Sequence, residues 1–529
     1  MKRHERLWCL WYGVALAGIT TLPYLMGMAV EGDGWFFTGF VFGVEDGNSY
    51  IAKMLLGQIG DWLFRTPYST EIQNGVLAFL PYLLLGKLAA PPEVHIQLVV
   101  LFHFFRVLCI PFTVWAIYQF ISVYIEDLRW RRWATILGTI GGGLGWLILA
   151  VGGSAWLGSL PLEWISPESF GFLAIYGLPH LVLARGLLFL TMVLFLRAED
   201  NPKWSWLAGC VILLLLLVQP LSVLTLAAVI GAYNLLVLIQ SLLQREPQIY
   251  RPLFFNTLRM IIPPLPLFAY FVVSFSTDPF LAAWTGQNQI LSPHPVHYLL
   301  AYGLMIPFLI VPFRKRVWKT RPQWLLPIGW LAAGLLLAYF PHNLQRRLPE
   351  GIWVAMVTLA ALGMAELWRR RPWGKMFVRV SIACALISSA LLLIGGLQTV
   401  ARPELPMFRP DGEVRAFQEL ERISPLNSIV LASYSTGNAL PAWVSVRVLV
   451  GHGPESANLE ELLPVVSAFF YEGWDALQRE NFLDEHQVDF IFYGPFEREL
   501  GGWDPDSLSA LTLRYDENGY RIYEVSLSQ

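Results

Sequence analysis

The sequence predicts a polytopic α-helical membrane protein, with about eleven transmembrane helices and a soluble C-terminal α/β domain. Three observations carry this expectation. The 529 residues are 55% hydrophobic and only 14% charged, whereas soluble domains carry about 25% charged residues, and the mean hydropathy is +0.50. Apolar runs of spanning length recur from the N-terminus to residue 398. The basic residues collect in alternate connecting segments, as they do where cytoplasmic loops retain Lys and Arg.

The first run, 7–28, follows Lys2, Arg3 and Arg6 in the layout of a signal peptide, but the many runs after it favour an uncleaved first helix. Others fall at 96–124, 133–152, 170–196, 257–275, 295–312, 323–340, 351–367 and 378–398. The stretch 205–243 is long enough for two crossings, with a break at Gln219-Pro220 where proline removes a backbone donor. Alternation then gathers Arg129, Arg131 and Arg132, Arg197 and Lys203, Arg245 to Arg259, Arg314 to Arg321, and Arg369 to Arg379 on the side of the N-terminus. One segment competes for a place in this count. Gly75 to Ala90 is apolar, but it is short, contains Pro81 and ends in Pro91-Pro92. If it crossed, every one of those basic clusters would become external. It is therefore expected to be an interfacial or re-entrant helix within a long first external loop, 29–95. The organisation that follows is a transmembrane domain, 1–398, and an external domain, 399–529, in a cell-membrane protein with a cytoplasmic N-terminus.

After Thr399 the apolar runs shrink to strand length, at Ser428–Ser433, Val446–Val450 and Asp489–Tyr493. They alternate with helical stretches at Asn458–Phe470 and Trp474–Asp484, the alternation of an α/β layer. Gly437-Asn438 and Gly451-His452-Gly453 fall where loops should follow strands, and this domain is expected to fold autonomously and to supply acceptor contacts.

A net charge of −2 gives no basic field for a nucleic acid, so none is expected as a partner. The four cysteines, Cys9, Cys109, Cys210 and Cys384, all lie in apolar runs, which offers neither a disulfide framework nor a Cys-x-x-Cys metal motif. Gly141-Gly-Gly-Leu-Gly145 lies inside a membrane run rather than after a strand, and reads as close helix packing and not as a phosphate loop.

Ionisable groups near a bilayer are costly, so those that remain need a reason. Glu45 and Asp46, adjacent in the first loop just before an amphipathic stretch, suit a general base or a divalent cation, with Asn48 or Ser49 capping the helix. Asp46 as a loop-solvating or capping residue is the plainer reading. His103 and Arg106, three apart near the outer start of the second crossing, share a helix face. A snorkelling arginine is the alternative there. Arg346 and Arg347 stand in a short external loop against the positive-inside trend, with guanidinium geometry suited to phosphate or to a lipid headgroup. Tyr50, His180 and His294 are candidate cavity or acceptor residues. Arg185, Glu163, Glu168, Asp278 and His297 are expected to be structural, and His294-Pro-Val-His297 has too few ligands for zinc.

Glu45-Asp46 with Tyr50, the Pro81-containing 75–90 helix and Arg106 together resemble the C-type integral membrane glycosyltransferases. That superfamily includes the protein O-mannosyltransferases and the lipid A aminoarabinose transferase. Family members usually carry the acidic pair as Asp-Glu, the reverse of the order here. The resemblance implies a fold of this kind and transfer of a sugar from a polyprenyl-phosphate donor to an acceptor at the external face. On that reading Asp46, or its neighbour Glu45, is the catalytic base, and Arg106, Arg346 and Arg347 hold the donor phosphate. No nucleotide site is required on that reading, no cofactor is implied with certainty, and the acidic pair leaves room for a divalent metal. Two rivals remain open: a transporter or lipid flippase using the intramembrane His103, Arg106, His180 and Arg185, and a non-catalytic assembly protein whose external domain binds a partner.

Overall fold

The computed structural model describes residues 2–32, 34–246, 248 and 250–526. They form two compact units. The first comprises residues up to Leu22, His103–Val272 and Gln289–Gly395; the second comprises Pro23–Phe102, Val273–Asn288 and the segment from Gly396 onward.

The first unit is helical. Among the described residues of the whole chain, six helices are long and apolar enough to cross a membrane: α1 (Arg3–Val30), a helix at Val94–Tyr124, and those at Pro179–Arg197, Ser222–Gln244, Gln345–Arg370 and Pro372–Thr399. Two bent pairs raise the number to eight, Tyr250–Ile261 with Leu265–Thr277 at 59° and Val296–Gly303 with Ile306–Lys319 at 75°. Lys203–Val218 and Pro322–Leu337 are shorter apolar helices. Every apolar run expected to cross is helical, but several are interrupted. The expected break at Gln219-Pro220 is present, and Pro263-Pro264 and Pro307 mark the bent pairs.

The expected span 133–152 is not continuous: its helix occupies Leu128–Ile140 and a short one resumes at Trp146–Ala150. The glycines between them permit a close backbone approach, since a Cβ on Gly143 would lie 2.0 Å from the Ala301 carbonyl oxygen. Backbone donors freed by the break are satisfied locally. Glu163 Oε1 accepts from the amides of Gly143 at 3.0 Å and Gly145 at 2.9 Å, as an interruption in an apolar setting requires. The core of this unit is a continuous cluster that includes Phe120, Phe189, Trp330 and Trp353.

The second unit is built on α2 (Val44–Gln58), α3 (Leu80–Gly86) and a mixed sheet. A seven-residue α3 is about 10 Å long, too short to cross a bilayer. It packs on α2 through glycines: a Cβ on Gly57 would lie 2.0 Å from the Leu83 carbonyl oxygen, and one on Gly86 1.7 Å from that of Met54. β1 (Trp35–Phe37) pairs antiparallel with β2 (Phe408–Pro410). The larger sheet contains β3 (Ile429–Leu431), β4 (Arg447–Val448), β5 (Phe490–Tyr493), β6 (Leu511–Glu517) and β7 (Tyr520–Val525), in the order β4-β3-β5-β7-β6. β3 is parallel to both β4 and β5, and the β6–β7 hairpin completes the sheet antiparallel. The helices at Leu459–Phe469 and Ala476–Glu485 lie where the sequence places them. The core includes residues from both ends of the unit's sequence. Ala52 and Tyr68 pack with Phe417, Val430, Val448 and Phe492, and Ala442 packs with Ile51, Met54 and Phe102.

Candidate active site around Asp46

Helix α2 begins after Gly43, which takes a left-handed conformation (φ 55°) and provides no side-chain cap. Glu45 and Asp46 occupy its first turn, where carboxylates are favoured by the helix dipole. Asn48 and Ser49 do not cap the helix, as the sequence suggested they would. They lie one turn further in, because the helix starts at Val44, and their side chains reach Asn438, in a short helix (Tyr434–Ala439) that follows β3 in place of the expected loop, and Glu455, in the loop after β4. The carboxyl ends of adjacent parallel strands are where open α/β sheets present their ligand-contacting segments.

This helix and the loop after β4 meet backbone to backbone. A Cβ on Gly437 would lie 2.2 Å from the Val450 carbonyl oxygen and one on Gly451 2.4 Å from that of Gly437, so both positions need glycine. Asn438 joins them to α2, accepting from Asn48 Nδ2 at 2.8 Å and donating to the Glu45 carbonyl oxygen at 3.4 Å. The Tyr68 hydroxyl donates to the Asn438 carbonyl oxygen at 2.9 Å.

This arrangement separates the two carboxylates. Glu45 Oε1 accepts from the Tyr434 hydroxyl and from the Gly453 amide at 3.0 Å, so it holds the loop. Burial and the Glu45 charge push the Tyr434 phenol above the usual tyrosine range. The side chain of Asp46 is 60% exposed, with Oδ1 3.4 Å from Nε2 of the buried His452.

Beneath them lies a buried ion pair. Lys53 Nζ is 2.5 Å from Glu455 Oε1, with side-chain exposures of 1% and 5%. Ser49 Oγ donates to the same carboxylate oxygen at 2.6 Å and Thr66 Oγ1 to the other at 2.7 Å. The ammonium also faces the Phe79 ring, 4.5 Å from its centroid. Burial opposes ionisation of Glu455, but the Lys53 and His452 charges and the hydrogen bonds from Lys53 and Ser49 outweigh it and hold its carboxyl below the usual range. Among the described residues no three His, Cys, Asp or Glu side chains converge as a ligand set.

The other predicted residues are placed as follows. Tyr50 stacks on Tyr82, with centroids 4.9 Å apart. In the first unit, Arg106 is fully buried; its guanidinium donates to Thr20 Oγ1 at 3.0 Å, Thr21 Oγ1 at 2.8 Å and His103 Nδ1 at 3.4 Å. His180 is buried at the start of its helix and His294 is exposed. Arg347 Nε lies 3.5 Å from Glu168 Oε1. The Nε–H of half-buried Arg346 has no hydrogen-bond partner among the described residues. Arg185 pairs with Glu350 at 2.8 Å, Asp278 Oδ1 caps a helix by accepting from the Leu281 amide, and His297 Nε2 lies 2.8 Å from the Trp156 carbonyl oxygen. Sequence reasoning did not single out Lys53, Tyr434 or Glu455 as site residues. A lysine within an otherwise apolar helical segment was the available signal.

No protein-family profile and no curated protein matches the sequence. Solved structures do match the fold. The apo oligosaccharyltransferase of Archaeoglobus fulgidus aligns with a TM-score of 0.53 at 12% identity, over 99% of this chain and 75% of that one. The arabinofuranosyltransferase AftD from Mycobacteria gives 0.54 at 13% identity, over 97% of this chain and 40% of its own. ArnT from Cupriavidus metallidurans bound to undecaprenyl phosphate gives 0.51 at 10% identity, over 97% of both chains. These neighbours are C-type integral membrane glycosyltransferases, and the chain carries the fold they share.

Proposed function

We propose that the protein is a membrane glycosyltransferase that moves a sugar from a polyprenyl-phosphate donor to an acceptor at the external face, with Asp46 as the base. The observation that carries this reading is the contrast within the acidic pair on a fold shared end to end with ArnT: Glu45 is tied to the C-terminal loop, while the Asp46 carboxylate is 60% exposed. In the reaction Asp46 takes the proton of the acceptor hydroxyl as its oxygen bonds the anomeric carbon. The bond from that carbon to the phosphate oxygen breaks, and the electron pair leaves with the polyprenyl phosphate.

The departing phosphate needs positive charge rather than a strong acid. Arg346, whose Nε–H has no hydrogen-bond partner among the described residues, is the better suited of the loop arginines. Arg347 is shared with Glu168, and the guanidinium donors of Arg106 bind Thr20, Thr21 and His103. The positive-inside pattern and the apolar runs support about eleven crossings, an N-terminus inside and the segment 399–529 outside.

The decisive variant is Asp46→Asn. It keeps the shape of the side chain but removes proton acceptance. Turnover of an undecaprenyl-phosphate sugar should fall by at least about 100-fold, while binding of undecaprenyl phosphate, followed by native mass spectrometry, stays near wild type. Retained turnover would refute Asp46 as the base. A flippase would instead move the lipid with no glycosyl product from the wild-type protein.

A further inference from the structure

The loop that follows β4 is held rigidly. The buried hydroxyl oxygen of Ser456 accepts from the amides of Gly451 at 3.1 Å and His452 at 3.2 Å. The His452 ring lies against Tyr68, with centroids 5.4 Å apart. Its side chain is 6% exposed, so the two ring nitrogens have fixed surroundings. Nε2 faces Asp46 Oδ1 at 3.4 Å and Nδ1 faces Glu455 Oε1 at 3.9 Å. Glu455 is itself fixed by Lys53, Ser49 and Thr66. The ring is therefore set between a solvent-facing carboxylate and a buried, charge-compensated one.

We propose that His452 is a positioning residue for Asp46, with the loop after β4 orienting the Asp46 carboxylate and keeping it ionised. The Nε2–H of an imidazole protonated there points to one oxygen of the carboxylate and so fixes the orientation of the group. The charged groups around this contact are Glu45, Asp46 and Lys53 from α2 and Glu455 from the histidine's own loop, with the phenols of Tyr68 and Tyr434 beside them. Only the catalytic consequence rests on the glycosyl-transfer reading; the coupling of His452 to Asp46 stands without it.

A test that needs no substrate is the pH profile of carbodiimide labelling at Asp46. It is measured on the full-length protein in detergent and read by peptide mass spectrometry, since the reagent attacks the protonated carboxyl. Histidine ordinarily carries its proton through the acid range in which carboxylates titrate. A positive charge 3.4 Å away, acting through a water-like dielectric, lowers a carboxyl midpoint by about one pH unit. His452→Ala and the volume-keeping His452→Gln should therefore raise the Asp46 labelling midpoint by about one unit, a roughly tenfold faster labelling at intermediate pH.

Buried Glu455 reports folding in the same digest, because it stays unlabelled while the loop is intact. An unchanged Asp46 midpoint in a folded variant overturns the proposal. If both variants expose Glu455, the wild-type profile decides: an Asp46 midpoint below that of exposed Asp200 supports the coupling, and an equal one overturns it. A shifted labelling midpoint in a protein with no glycosyl transfer would sink the function reading and leave the His452–Asp46 coupling in place.

Discussion

Replacing Glu455 by Gln tests whether the buried ion pair holds the first loop against the C-terminal sheet. The change leaves the Lys53 ammonium, 1% exposed, without its counter-charge. Removing one partner of a buried pair costs about 3–5 kcal/mol. The Phe79, Phe64 and Tyr50 faces, 4.5, 5.2 and 5.8 Å from the ammonium, contribute in the wild type and the variant alike and so leave this difference unchanged. A loss of roughly 3–5 kcal/mol should lower the melting temperature of the second unit by on the order of 10 °C, at about 2–4 °C per kcal/mol for units of this size. Lys53→Met should have a similar effect, because it leaves the carboxylate unpaired. The double variant Lys53→Met/Glu455→Leu should melt well above either single one, since no uncompensated charge remains. Differential scanning fluorimetry of the full chain in detergent reads all four proteins. The pH dependence has a definite sign. The folded carboxyl of Glu455 is held below its usual range, so its contribution is fully present above the ordinary carboxylate pKa. It is lost as pH falls through the depressed folded value. The gap between wild type and Glu455→Gln should therefore narrow in acid and stay open at neutral pH. Single variants that melt within a degree of wild type, or a double variant that loses the sum of the two, would refute the reasoning.

Arg346→Ala should weaken undecaprenyl phosphate binding by about 1.5–3 kcal/mol if a charge-assisted bond is lost, and Arg347→Ala by less, because Glu168 already neutralises part of its charge. Equal or reversed effects in a native mass spectrometry titration would remove Arg346 from the donor site. For topology, Ser428 and Ser381 are poor reporters because both are buried, whereas Glu472 and Asp200 are exposed. In a background lacking the four native cysteines, Glu472→Cys should react with an impermeant maleimide on intact cells and Asp200→Cys only after lysis. The opposite pattern would overturn both the orientation and an external reaction.

The sequence exposed what depends on local pattern. Apolar length located the membrane runs, and strand-length runs located β3, β4 and β5 and the helices between them. It missed the β6–β7 hairpin, although its Asn518-Gly519 turn, with φ of 53° and 81°, is a strong hairpin signal. β6 is mostly exposed, so no buried apolar run marked it, whereas β7 does carry the buried Tyr520, Ile522 and Tyr523. Helix continuity was also overread. Apolar composition persists through Gly141–Gly145, but whether a helix does depends on outside acceptors for the freed amides, and the one that matters here, Glu163, looked merely like a loop carboxylate.

The choice between Glu45 and Asp46 lies beyond local pattern for a related reason. Successive residues on a helix point about 100° apart, so two adjacent carboxylates cannot both face the same neighbour. Which one is covered depends on Tyr434, Gly453 and His452, some 390 to 410 positions away along the chain. The aromatic ring and the glycine amide fall on the Glu45 side, and the imidazole falls beside Asp46. Exchanging the order of the pair would place the longer side chain beside His452 and leave Tyr434 and Gly453 facing one methylene too short to reach. The Glu-Asp order, read from the sequence as a departure from the usual Asp-Glu, is therefore the order that these residues accept.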